Sequence, residues 1–306
     1  MARRARLIAA ALWLAAAPLP AEDFTKEFDS VYGHIIVRRT GSIVEMFATH
    51  RGWVARESGV DLDDPTRIVV PYVRHAFAAG MVKPDPERVL LIGLGGGGFN
   101  QFFNAVWPRA TLTSVEIDRR VVDLAVKYMN FAESDRNVVV VRDGRSFLRR
   151  DTQTYDWIFL DAFHGSVVPP HLKTADFYRE IAAKLSDGGV LISNIHDDSE
   201  LFYHDLATFR DAFPDVVFLK VAGTGNVIVL AGKGEPGTIA TALRAFRPED
   251  SRGPLWTREI DPRSIVASIM AFTPGDLERG MVMTDDFAPA DYYRMIPAAS
   301  GKARGE

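Results

Sequence analysis

The chain contains no cysteine. That excludes disulfide bonds, thiolate metal sites and cysteine nucleophiles, and it is compatible with either an oxidising or a reducing compartment. The body of the chain carries no block of lysine and arginine, and the formal net charge is −4, so a nucleic-acid-binding surface is not indicated. There is no internal repeat and no low-complexity segment. The apolar run from Leu7 to Ala17 is shorter than the ~20 residues that span a bilayer.

That run has its own meaning. Arg3, Arg4 and Arg6 precede it, and Pro18, Pro20 and Ala21 separate it from Glu22 and Asp23. A positive start, a short apolar stretch and small residues form the pattern of a secretory signal peptide. Residues 1–21 are therefore expected to be removed on export, to the periplasm in a bacterial cell. The mature chain would have a net charge of −7 and no stable membrane span. An uncleaved anchor or a cytoplasmic protein with an extended start is the alternative.

The remaining length suits one large domain with additions, or two. Residues 22–66 read as a small N-terminal β element, with strands at His34–Arg39 and Ser42–Phe47 around Thr40-Gly41. Ile68–Met81 reads as one apolar helix. Strands and helices then alternate across residues 67–235. Strands are expected at Val89–Ile92, Thr111–Glu116, Val138–Val141, Trp157–Leu160, Val190–Asn194, Val216–Val221 and Val227–Ala231. Helices fall between them, including Arg119–Met129, Thr174–Leu185 and Ser199–Phe213. Alternation of this kind predicts a parallel sheet covered on both faces. Only Ala222 to Asn226 join the last two strands, which permits a hairpin but no helical crossover. The expected fold is thus α/β and Rossmann-like, of the class I methyltransferase type: a mostly parallel seven-stranded sheet with an antiparallel last strand. Residues 236–306 form a helical extension.

The most informative stretch is VLLIGLGGGG, Val89 to Gly98. A buried strand runs into a glycine turn at Gly93, Gly95, Gly96 and Gly97, where the absence of side chains lets a nucleotide-like ligand approach the backbone. The following strand ends at Glu116, 19 residues after Gly97, with Asp118 just beyond. That is the place for an acid that accepts hydrogen bonds from ribose hydroxyls. The competing reading is a tight strand-to-helix turn with a capping acid. Asp143-Gly144 follows the strand VVVV; the acid there suits the exocyclic amine of adenine or, equally, the N-terminus of a helix. Asp161 ends YDWIFL and opens a long loop to Thr174, where it either holds an amine and accepts its proton or caps backbone amides. His164 and His171 lie in that loop. No third metal ligand is evident, so no metal is expected and both histidines read as solvated. Ser166 lacks a nucleophile elbow. Asp285 and Asp286 form an acidic pair that either caps a helix or closes over the crevice.

Taken in order, these motifs resemble the spermidine synthase family, the polyamine aminopropyltransferases, in a divergent bacterial form. The resemblance runs from SVYGHIIV at Ser30 through the glycine turn, VEID at Val115–Asp118, Asp143-Gly144 and YDWIFLDAF to FYREIAAKLSDGGVLISN, about two-thirds of the chain. It implies polyamine biosynthesis: transfer of an aminopropyl group from decarboxylated S-adenosylmethionine to a small amine. Glu116 would hold the ribose, Asp143 and Gly144 the adenine, Asp161 would take the amine proton, and Tyr72 and His164 would face the acceptor. Several positions depart from the family pattern. Gly33 replaces a glutamine, Val73-Arg74 follow Tyr72 in place of His-Glu, Gly96 replaces an aspartate, and His164 replaces a second aspartate. These changes erode the half of the site that would hold a dication. Loss of the acid at Gly96 also suits S-adenosylmethionine itself, whose tail carries a carboxylate. A methyltransferase acting on an amine or another small nucleophile is therefore the alternative. A non-catalytic exported protein that keeps the fold is the reading from a different class. A homodimer is compatible with all three.

Overall fold

A computed structural model describes residues 22–50, 53–163, 168–250 and 252–287. The expected signal peptide, His164 and Ser166 lie outside the described residues. The chain forms an antiparallel four-stranded sheet followed by a seven-stranded sheet with helices on both faces.

The first sheet runs in simple order, β1 (Phe24–Ser30), β2 (Gly33–Thr40), β3 (Ile43–His50) and β4 (Trp53–Asp61). Two strands were expected here and four are present. The outer two were hard to see because FTKEFDS is largely polar and Arg56, Glu57 and Ser58 interrupt the apolar residues of WVARESGVD. Alternation places Ile35 and Val37 of β2 and Val44 and Met46 of β3 on one buried face. That face packs on Leu124 and Met129 of the main domain.

The single helix expected over Ile68–Met81 is two short helices, α1 (Pro71–Ala76) and α2 (Ala79–Val82). Pro71 sets the start, since the residue before a proline avoids helical backbone and Val70 is extended. The break at Phe77-Ala78 directs Phe77 into the core, where its ring stacks on Phe99 at 4.6 Å between centroids.

The large sheet has β5 (Arg88–Ile92), β6 (Thr111–Glu116), β7 (Asn137–Val141), β8 (Tyr155–Leu160), β9 (Leu185–His196), β10 (Asp215–Lys220) and β11 (Asn226–Gly232). Its spatial order is β10-β11-β9-β8-β5-β6-β7, parallel except for β11, which is antiparallel to both neighbours. This is the Rossmann-like class I methyltransferase arrangement. The order reverses between β5 and β8, and in such sheets ligands bind outside the carboxyl ends at the reversal. Buried apolar side chains line both faces, one cluster around Phe99, Phe102 and Trp157 and another around Tyr178, Phe209 and Phe218. Among the described residues, no helix is long and apolar enough to cross a membrane.

Connecting helices include α3 (Gly98–Val106), α4 (Arg119–Tyr128), α5 (Gly144–Arg150), α6 (Ala175–Lys184) and α7 (Phe202–Ala212). The extension begins with α8 (Thr238–Ala245) and continues in short helices. Its last described segment returns to the main domain. The carbonyl of Met283 accepts from the Ala175 amide at 2.8 Å. Asp285 receives both Nη atoms of the buried Arg145, at 2.8 and 2.7 Å, and the Thr174 hydroxyl at 2.8 Å. Asp285 takes neither role offered for this acidic pair and instead ties the extension to α5 and the loop before α6. Removing it strips two charge-assisted hydrogen bonds from a buried guanidinium that keeps Glu180. Asp285→Ala should lower the unfolding free energy by about 1–3 kcal/mol, read by urea denaturation; no change would make the contact dispensable.

Candidate active site

A cavity of about 580 Å³ opens outside the carboxyl ends of β5, β6, β8 and β9. The first sheet forms its opposite wall through residues such as Tyr32, Glu57 and Ser58. Tyr72, Gly93, Gly95, Glu116, Asp118, Asp143, Gly144 and Asp161 all border this one space. Spacing and strand order therefore bring the expected residues together, with two exceptions.

Gly96 and Gly97 do not border the cavity. A Cβ at Gly96 would lie 2.3 Å from the Met129 methyl carbon, and one at Gly97 would lie 2.4 Å from the Phe131 ring. The freedom of these positions accommodates the helix-end residues behind the turn rather than a ligand in front of it. Gly93 is constrained differently. It has φ +102°, and a Cβ there would sit 2.4 Å from the carbonyl oxygen of Asp161. Gly144 likewise has no room toward Ile92, whose Cγ2 would be 2.4 Å away, so its missing side chain serves packing on β5.

The acids divide their lone pairs between structure and cavity. Glu116 accepts from the amide of Leu94 at 2.9 Å and from that of Asp118 at 3.0 Å, so it ties the glycine turn to the end of β6. Burial pushes its carboxyl above the usual range. Asp118 caps α4 by accepting from Arg120 at 2.8 Å, and Asp143 caps α5 by accepting from Ser146 at 2.8 Å. Both capping alternatives are thus realised, while each acid also borders the cavity. His171, read as solvated, has its Nε2 2.8 Å from the second oxygen of Asp143. Against the effect of burial, hydrogen bonds from Ser146 and His171 hold Asp143 below its ordinary range.

Asp161 is held from two sides. The Tyr72 hydroxyl of α1 donates to one oxygen at 2.7 Å, and the Asn194 amide of β9 donates to the other at 3.1 Å. Burial dominates these bonds and pushes the carboxyl up to about 6. Tyr72 is buried beside this acid and titrates far above its usual value. Asn194, His196, Asn226, Ser58 and Glu57 also border the cavity and were not anticipated. The first three come together through the antiparallel register of β9 and β11, in which His196 faces Asn226. Among the described residues, no cluster of three His, Asp or Glu side chains has the geometry of a metal site.

The fold and crevice define a Rossmann-like protein with a buried acid at the strand-end edge of its sheet. A sequence profile of the spermine/spermidine synthase domain matches residues 74–221. The polyamine aminopropyltransferase of Vibrio vulnificus is 33% identical over 242 residues, covering 74% of this chain and 77% of that protein. That of Chromobacterium violaceum is 30% identical over 206 residues, covering 67% and 79%. A spermidine synthase solved with the transition-state analogue AdoDATO superposes with a TM-score of 0.64 at 22% identity, over 83% of this chain and 88% of that one. The chain belongs to the polyamine aminopropyltransferase family.

The raised Asp161 has a cost in stability. Its proton is bound more tightly in the folded state, so stability falls as pH rises from about 4 through 6 and stays lower above that. The shift corresponds to at most about 3 kcal/mol. Asp161→Asn should therefore raise the unfolding free energy by about 1–3 kcal/mol at pH 8 and change it little near pH 4. Equal effects at both pH values in denaturant titrations would exclude the buried charge as the cause.

Proposed function

We propose that the protein transfers an aminopropyl group from decarboxylated S-adenosylmethionine to a small amine. The observation that carries the reading is the enclosed Asp161 carboxylate, set against the glycine turn of a family crevice. In the reaction, the amine nitrogen attacks the aminopropyl carbon next to the sulfonium. The carbon–sulfur bond breaks, the electron pair stays on sulfur, and the thioether of adenosine leaves. The sulfonium is already a good leaving group, so the protein's task is alignment and exclusion of water. On this reading, Glu116 accepts from the ribose hydroxyls and Asp143 from the adenine amine, both bordering the cavity. Asp161 orients the amine and accepts its proton as the carbon–nitrogen bond forms. A carboxyl near 6 remains ionised at neutral pH and is a stronger base than a solvent carboxylate near 4.

Three acids of the family pattern are absent, with Arg74, Gly96 and His164 in their places. Glu57 of β4 borders the same cavity near Tyr72. The acceptor amine meets Asp161, and diamines are the first amines to test. Methyl transfer from S-adenosylmethionine is the second reading; it loses its argument from position 96, where a Cβ would meet Met129 behind the turn.

Incubation with each donor and a panel of mono- and diamines, read by product mass, separates the two. Aminopropylated product is expected from decarboxylated S-adenosylmethionine, with an acid limb of kcat/KM near pH 6. Asp161→Asn should keep donor affinity and lower kcat by about 10²–10⁴. Methylated product, or full activity in the variant, would displace the reading.

Export is a further proposal and rests on residues 1–21 alone. The intact mass of the native protein in a periplasmic fraction should lack about 21 residues. A full-length cytoplasmic chain would remove export.

A further inference from the structure

Behind Asp161, side chains run in file toward the cavity rim. Asn194 Nδ2 lies 3.1 Å from Asp161 Oδ1. Asn226 Nδ2 lies 2.9 Å from Asn194 Oδ1 and 3.1 Å from His196 Nε2. His196 Nδ1 is 3.6 Å from the exposed Asp198 carboxylate. Each amide has a donor end and an acceptor end, so the direction of every link follows from its neighbour. An ionised Asp161 only accepts. Asn194 must then turn its NH₂ toward it and its carbonyl toward Asn226. Asn226 must answer with its own NH₂, whose second hydrogen points at His196. The imidazole must meet that hydrogen with a bare Nε2 and carry its proton on Nδ1, on the side of Asp198.

We propose that His196 is a positioning residue that fixes the Asn226–Asn194 pair and thereby holds Asp161 ionised and correctly donated to. A proton on Nε2 would oblige Asn226 to present its carbonyl, Asn194 to reverse, and a carbonyl oxygen to face the Asp161 carboxylate. Protonation at one end of the file thus favours protonation at the other, although the two charges attract through space. Other groups around the ring do not disturb this logic. Among the described residues, Lys220 is paired with Asp197 at 2.5 Å and Lys173 with Asp205 at 2.9 Å, while Phe163 packs on the imidazole with ring centroids 5.2 Å apart. Burial lowers His196 from its ordinary value, which keeps it neutral in the working pH range.

The significance for catalysis rests on the aminopropyl-transfer reading, but the file itself is testable without donor or acceptor. Nitrogen NMR of the full chain at pH 7.5 should find His196 in the Nδ1–H form. The Asp161 midpoint, read from its carboxyl carbon, should rise by about half a unit to one unit in His196→Phe, because Asn194 loses its anchor while no charge is removed. Should that variant fail to fold, Asn226→Leu breaks the same link and should give the same upward shift. An Nε2–H tautomer in the unmodified protein, or an unmoved Asp161 midpoint in the folded variant, would overturn the proposal and leave the transferase reading standing. A chain that passes both tests yet transfers nothing would do the reverse.

Discussion

The site depends on how closely the end of β8 approaches the end of β5. The Asp161 carbonyl occupies the space that any side chain at position 93 would need. A glycine with positive φ is therefore required whatever ligand is bound. That approach places the acid of one strand beside the turn of the other, across the reversal point of the sheet. Glu116 completes the junction by holding the Leu94 amide. The glycine turn and Asp161 are thereby fixed relative to one another by backbone, with little left to side-chain adjustment.

Much of this was legible in the sequence because it is local. Buried parallel strands read as continuous apolar runs, and an acid or glycine after such a run marks the edge where ligands bind. Glu116, Asp143 and Asp161 follow from that rule, and the short link from Ala222 to Asn226 revealed the reversed strand. Which way a glycine faces was not legible. Gly96 and Gly97 look identical to Gly95 in sequence, and only the positions of Met129 and Phe131 show what fills the space beside them. The break in the helix after Ala76 depends on where Phe77 finds aromatic partners, which a local period does not encode.

The least legible part was the wall around Asp161. Asn194, His196 and Asn226 carry no motif and lie on strands whose pairing register brings them together. His171 looked like an ordinary loop histidine until the fold put Asp143 in reach. Glu57 and Ser58 come from a sheet outside the Rossmann-like core, so the cavity is composite: one wall belongs to the ligand-binding fold and the other to the N-terminal sheet. A reading centred on the glycine turn sees only the first.

The Arg145–Asp285 tie has a consequence for the order in which the chain takes shape. The two residues are 140 positions apart, and the guanidinium is buried in the finished protein. At ribosomal rates of about 5–20 residues per second, Arg145 waits roughly 7–30 seconds for its far partner to be made. During that interval the sheet can assemble, and Glu180 is already at hand. The loop before α6, however, lacks the anchor that Asp285 gives to Thr174. Synthesis therefore runs ahead of the completed cavity wall, and the last stretch of the described chain acts as a latch that closes after the nascent core has formed.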